Sequence, residues 1–205
     1  MKLKIRHMWI LAATLFAQAG AADAHIVAAR LGDFYMGALH PLTDLQDVVL
    51  WTATGVLAGT LGATKGRWLI LVFPLGLLVG LPLGRILGAA STQLAGATMM
   101  LAIGMLLAAA ARIPIFLLCA IAFGIAVMRG AANGADLAVD TDRLLFAAGL
   151  ACVGYGAITL TMALTTVFKR TEADNAASWR AIAIRAFGGW IAAIGLMMAS
   201  LVLAS

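Results

Sequence analysis

Downstream of Asp47 this 205-residue chain divides into six long stretches without a single charged residue, and that division constrains its fold more than any motif. The stretches run Val48–Thr64, Trp68–Gly84, Ile86–Ala111, Ile113–Met128, Leu144–Phe168 and Ala186–Ser205. A helix rises about 1.5 Å per residue and a bilayer core is about 30 Å thick, so about 20 apolar residues cross it. The shorter stretches are flanked by Lys and Arg, whose long stems reach the interface. A soluble helical bundle would show charges on one face of every helix, and these stretches show none. Charged residues make up 11% of the chain, where soluble domains carry about 25%. The expected fold is an all-α membrane protein with six transmembrane helices.

The N-terminus reads as a cleavable signal peptide over residues 1–24. Lys2, Lys4 and Arg6 form a basic start, Met8 to Phe16 is a short apolar run, and Ala22-Asp23-Ala24 offers a small-residue cleavage site before His25. Residues 25–205 then form a single six-helix domain. Cleavage implies an exporting membrane, in the simplest case a bacterial inner membrane, with the mature N-terminus periplasmic.

Charge placement orients the bundle. With residues 25–46 outside, Lys65, Arg67, Arg112, Lys169, Arg170, Arg180 and Arg185 fall inside, while Arg30, Arg85, Arg129 and Arg143 fall outside. Basic residues are enriched on the cytoplasmic side of membrane proteins, so this bias agrees with the signal-peptide argument. Both mature termini are expected in the periplasm. The inner basic group could also attract anionic headgroups, although topology alone accounts for it. The small net excess of basic residues orients the chain, and no nucleic-acid partner is expected.

Gly55/Gly59 and Gly76/Gly80/Gly84 recur every fourth residue, the spacing at which helices approach closely. Pro74 and Pro82 should bend the second span. Two polar segments fall on the outer side. In the first, residues 40–47, Pro41 suits the first turn of a helix with His40 at its cap. On that reading His40, Asp44 and Asp47 share one helical face. The second, Met128 to Asp136, contains Gly130 and Gly134, which suggests broken or re-entrant backbone facing protein or a wet cavity. Because spans alternate in direction, the two segments belong to the same membrane face.

These segments carry a resemblance. The chain is similar to the HupE/UreJ family of hydrogenase- and urease-accessory nickel/cobalt permeases, in a signal peptide ending before a His, Gly32 and Gly37, His40-Pro41, six spans, and Arg185-Ala186-Phe187-Gly188-Gly189. The family's first motif, H-P-x-x-G-x-D-H, keeps His40 and Pro41 here but has Asp44, Gln46 and Asp47 at its Gly, Asp and His. The second, close to F-H-G-x-A-H-G-x-E, keeps Gly130, Ala132 and Gly134 but has Arg129 and Asn133 at its histidines and Asp136 at its acid. The resemblance implies a six-helix permease fold and nickel or cobalt as the transported ion.

The substitutions admit two physical readings. In one, His40, Asp44, Asp47, Asn133 and Asp136 still ligate a divalent metal; losing imidazoles for oxygens weakens the preference for nickel and cobalt. In the other, Arg129 pairs with Asp47 or Asp136 and replaces the metal, so the chain is a non-transporting membrane accessory subunit. A charge at the bilayer centre costs about 2.5–3.5 kcal/mol even on lenient scales, which makes a partner for Arg129 necessary. The first reading needs a small cation substrate and a lipid bilayer. The second adds a membrane-protein partner, and either is compatible with a homo-oligomer.

Other features have plainer explanations. His25 and His40 could form a copper site only if the N-terminal segment were fixed. Cys119 and Cys152 lie mid-span and read as buried thiols, and Met99, Met100 and Met105 as core packing. Trp51, Trp68, Trp179, Trp190 and Tyr35 read mostly as an interfacial belt. No phosphate loop, no nucleophile with an adjacent base and no CxxC motif is present. The chain is therefore not expected to be an enzyme, and no resident cofactor is expected.

Overall fold

A computed structural model describes residues 32–87, 89–135, 137–170 and 179–204. The signal-peptide segment, His25, Arg30 and Asp136 lie outside the described residues. Every regular element among the described residues is helical. In chain order these are α1 (Asp33–Thr43), α2 (Leu45–Leu61), α3 (Ala63–Gly66), α4 (Leu69–Gly80), a 3-10 turn (Leu81–Leu83), α5 (Gly84–Leu87), α6 (Ala89–Ala108), α7 (Ile115–Ala135), α8 (Arg143–Arg170) and α9 (Trp179–Ala204).

Five helical stretches among the described residues are long and apolar enough to cross a bilayer: Ala63–Leu87, Ser91–Ala108, Ile115–Ala135, Arg143–Lys169 and Trp179–Ala204. The chain is a multi-pass membrane protein. The sixth expected span corresponds to α2, which is apolar but has only 17 residues, about 25 Å of helix. Its length is set by its ends. Asp44 is extended (φ −92°, ψ 115°) and caps the first turn by accepting from the Gln46 N–H at 2.8 Å, and Gly62 closes the last turn at φ +95°. Such a φ suits glycine, which has no Cβ to clash. Most of α2 is buried, with Leu50, Ala53 and Ala58 wholly enclosed. A short helix suits that central position, where its neighbours rather than lipid surround it.

This boundary corrects the expected start of the first span. Pro41 lies inside α1, with His40 in the last turn of that helix, and α2 begins afterwards at Leu45. His40, Asp44 and Asp47 therefore do not ride one helix. The break at Asp44 frees the Gln46 N–H from the helical carbonyl it would otherwise meet, and the Asp44 carboxylate accepts it instead, so the chain can turn there.

A second correction concerns Gly130 and Gly134. Instead of breaking the backbone, α7 runs unbroken to Ala135. Both glycines serve close packing: Gly130 lies against the Leu77 carbonyl and Gly134 against that of Leu81, while Gly76 and Gly80 press on Ala126 and the Val127 carbonyl. The fourth-residue glycines of α4 thus mesh with those of α7. Gly55 and Gly59 do the same work against Thr161 and Thr165 of α8. Pro74 lies within α4, and the local change to 3-10 bonding coincides with Pro82.

Around α2 the remaining helices pair off: α9 on α6, α4 on α7, and α1 on α8. The core holds Leu50, Phe73, Leu77, Met100 and Phe146. Trp51 belongs there too. It is 2% exposed and meets Phe73 edge-on at 5.6 Å, so it is a core residue and not an interfacial anchor, whereas Trp68 and Trp179 are exposed. Neither cysteine is fully buried, Cys119 being half-buried on α7 and Cys152 exposed on α8. Met100 is enclosed while Met105 faces outward.

Candidate functional site

The N-terminal end of α2 meets the C-terminal half of α7, so the two polar segments come together. Because α7 does not stop at Met128, Arg129 is carried inside it, with Ala135 six residues further on, about 9 Å along the axis. Arg129 is only 2% exposed. A guanidinium that deep needs acceptors for its donors, and α2 supplies them.

Arg129 Nε donates to Asp47 Oδ1 at 2.6 Å, Nη1 donates to Gln46 Oε1 at 2.9 Å, and Nη2 pairs with Asp44 Oδ2. Asn133, one turn along α7, donates through Nδ2 to Asp47 Oδ2 at 2.8 Å and to the Arg129 carbonyl at 2.8 Å. Asp47 is 1% exposed, and both of its oxygens are bonded. Asp44 at the N-cap of α2, with Gln46 and Asp47 in its first turn, thereby grips one guanidinium. The Asn133 Oδ1 is buried and has no hydrogen-bond partner among the described residues.

Outward of this network lies a cavity of about 270 Å³ lined by His40, Asp44, Gln46, Thr92, Gln93 and Arg129, with Met198 at its edge. Asp47 and Asn133 do not line it, whereas Arg129 does. Gln93, His40 and Asp44 are the more accessible polar groups of the cavity lining, whereas Gln46, Thr92 and Arg129 are buried. Inward, α2 continues with the buried residues Leu50, Trp51, Ala53 and Leu57, and the Thr54 hydroxyl is turned to its own helix, donating to the Leu50 carbonyl at 2.7 Å. Polar character is concentrated in the mouth.

His40, Asp44, Gln46 and Arg129 converge on this cavity, and Asp47 and Asn133 lie behind it; Asp136 falls outside the described residues. Among the described residues no three His, Cys, Asp or Glu side chains are placed to hold a metal ion together. Of the acceptors that sequence reading offered to a metal, the carboxylates of Asp44 and Asp47 are engaged by the guanidinium. The pairing of Arg129 extends to Asp44, which the capping position of that residue brings within reach.

Other contributors carry no sequence signal. Thr92 and Gln93 enter from the start of α6 and Met198 from the end of α9, where its Sδ lies 3.9 Å from Gln46 Nε2. Gly96 is the clearest omission. A Cβ there would lie 2.6 Å from Gln46 Oε1 and 3.3 Å from Arg129 Nη1, so a side chain at this point of α6 would displace the Gln46 amide from the network.

Neither a curated protein nor a solved structure matches the chain. A family profile described as HupE / UreJ protein matches residues 11–198, which takes in both motif segments and nearly every helix, and the chain belongs to that family.

Proposed function

We propose that the protein is an inner-membrane permease for a divalent metal ion of the nickel/cobalt class or a similar small cation, with its mature termini in the periplasm. The observation that carries this reading is the charge balance of the mouth. Asp44 and Asp47 contribute two negative charges and Arg129 one positive, so the paired cluster keeps a net negative charge beside a polar cavity. A buried excess charge favours entry of a further cation. His40 and Asp44 are accessible ligating groups of that cavity, and Asn133 Oδ1, without a hydrogen-bond partner among the described residues, is an oxygen donor deeper in. With one imidazole among oxygens, the set suits nickel and cobalt less well than a histidine-rich site would. Inward passage requires Arg129 to release Asp47.

A second reading rests on the bonding of Asp47, both of whose oxygens are engaged by the protein itself. If Arg129 stands permanently where a metal would, the chain is a non-transporting membrane accessory subunit of the same fold. Accumulation of nickel and cobalt in cells expressing the chain separates the two. On the permease reading, uptake rises above that of empty-vector cells and falls with Asp44→Asn, which retains a capping side chain while removing the charge. Uptake equal to empty vector, with the protein present in the membrane, favours the accessory subunit.

A further inference from the structure

At the other end of the bundle, Arg112, Lys169 and Arg185 surround a cavity of about 300 Å³. Its walls come from the C-terminal ends of α2 and α6 and the start of α9, whereas the Arg129 site uses the opposite ends of the same helices. Charge bias assigns this face to the cytoplasm.

Two of the three cations are held by helix-end carbonyls. Lys169 Nζ donates to the Thr60 carbonyl at 2.7 Å, and Arg185 Nε donates to the Ala108 carbonyl at 2.9 Å. Those acceptors belong to the last turns of α2 and α6, where carbonyls lack helical partners. The anchoring uses one donor on each side chain, and an ammonium has three and a guanidinium five. Among the described residues no carboxylate pairs with any of the three, since both ion pairs involve Arg129.

A second cavity, about 380 Å³ and almost wholly apolar, adjoins the first. Val56, Leu164, Phe168, Ala183 and Phe187 line it, and Ile184 lines both cavities. It occupies the gap between α8 and α9, which scarcely touch one another. Arg180 adds a cation at its edge, with the guanidinium 5.3 Å from the centre of the Phe168 ring.

We propose that this paired feature is a binding site for an anionic phospholipid, its phosphate held by Arg112, Lys169 and Arg185 and one acyl chain laid in the slot between α8 and α9. Charge complementarity selects the headgroup. The apolar slot selects a lipid over a free anion, because a soluble phosphate would use only the cationic rim and leave the slot empty. Basic pockets between transmembrane helices on the cytoplasmic side are suited to such headgroups.

Native mass spectrometry of the purified full chain in detergent, titrated with phosphatidylglycerol or phosphatidylcholine, tests the proposal. A one-to-one adduct is expected that strongly favours phosphatidylglycerol. Removing charges with Lys169→Gln and Arg185→Gln should weaken it about fivefold each. Arg143→Gln, which removes a charge at the opposite face, should leave it unchanged. Ala183→Trp fills the slot with every cation retained and should also abolish the adduct, a result that charge alone does not explain. Equal binding of the two lipids overturns the proposal, as does indifference to Ala183→Trp. Complete displacement by glycerol phosphate would identify a free-anion site and likewise overturn it.

Discussion

Arg129 Nε lies 2.6 Å from Asp47 Oδ1, with both side chains almost fully enclosed between α2 and α7. In the motif resemblance, Asp47 falls at the last position of the first segment and Arg129 at the second position of the other, both histidines in the motifs. By that resemblance, two imidazoles give way here to a pair of opposite charges. The substitution is mutual, because either charge alone would be buried without compensation.

Removing one partner should therefore be costly. Arg129→Ala leaves Asp47 and Asp44 facing each other without a cation, and breaking a buried pair in this way costs about 3–5 kcal/mol. The apolar double variant Arg129→Met with Asp47→Leu should recover much of that loss, since neither charge remains. Thermal unfolding of the purified protein in detergent measures both. Equal stability of Arg129→Ala and the wild type would mean that the pair does not hold α2 to α7.

Gly96 should be intolerant of even one methyl group. The Cβ of Gly96→Ala would meet Gln46 Oε1 at 2.6 Å and push it from Arg129 Nη1. Losing a hydrogen bond to a charged group costs about 1.5–3 kcal/mol. The matching control is Gly124→Ala on α7, whose Cβ meets nothing within 4 Å. That substitution should be neutral or slightly stabilising, because alanine is the better helix former by about 1 kcal/mol. Unfolding midpoints that move equally for both variants would refute this account of Gly96.

The contrast between those glycines shows what was legible in the sequence and what was not. The charge-free stretches located the helices because exclusion of charge from lipid is a strong, local constraint. The fourth-residue glycines on α4 were readable for the same reason: their spacing alone defines a face. Gly96 has no such spacing, and its role exists only because α6 crosses over Gln46. Pro41 was misplaced because a proline fits both a first turn and a helix interior, and the choice was made by Asp44 capping the next helix. Gly130 and Gly134 suggested a break, yet their partners are the backbone carbonyls of Leu77 and Leu81, which only tertiary packing reveals.

Asp44 has two tasks that substitutions can separate. Its Oδ1 caps α2 through the Gln46 N–H, and its Oδ2 pairs with Arg129. Asp44→Asn keeps a good cap and gives up the ion pair, since its amide nitrogen cannot accept from Arg129, whereas Asp44→Ala loses the cap as well. The alanine variant should be less stable than the asparagine variant by about 0.5–2 kcal/mol, the usual worth of an N-cap side chain. Chemical denaturation of the two proteins side by side gives the difference. A reversed order would show that capping contributes nothing at this helix start.

If Arg129 occupies the place of a cation, neutralising it should create a demand for one. Arg129→Gln retains an amide donor toward Asp47 but leaves Asp44 and Asp47 without their counter-charge, so the cluster becomes more negative by one unit. The variant should be less stable than the wild type in metal-free buffer. Added nickel or cobalt should restore it, because a ligand that binds only the folded state stabilises by about 2.7 kcal/mol at one hundred times its dissociation constant. The wild type, in which Arg129 already neutralises one of the two carboxylates, should respond less over the same range. Unfolding temperature measured against metal concentration for both proteins tests this directly. A metal response that is the same in both would show that Arg129 and the ion do not compete for these carboxylates.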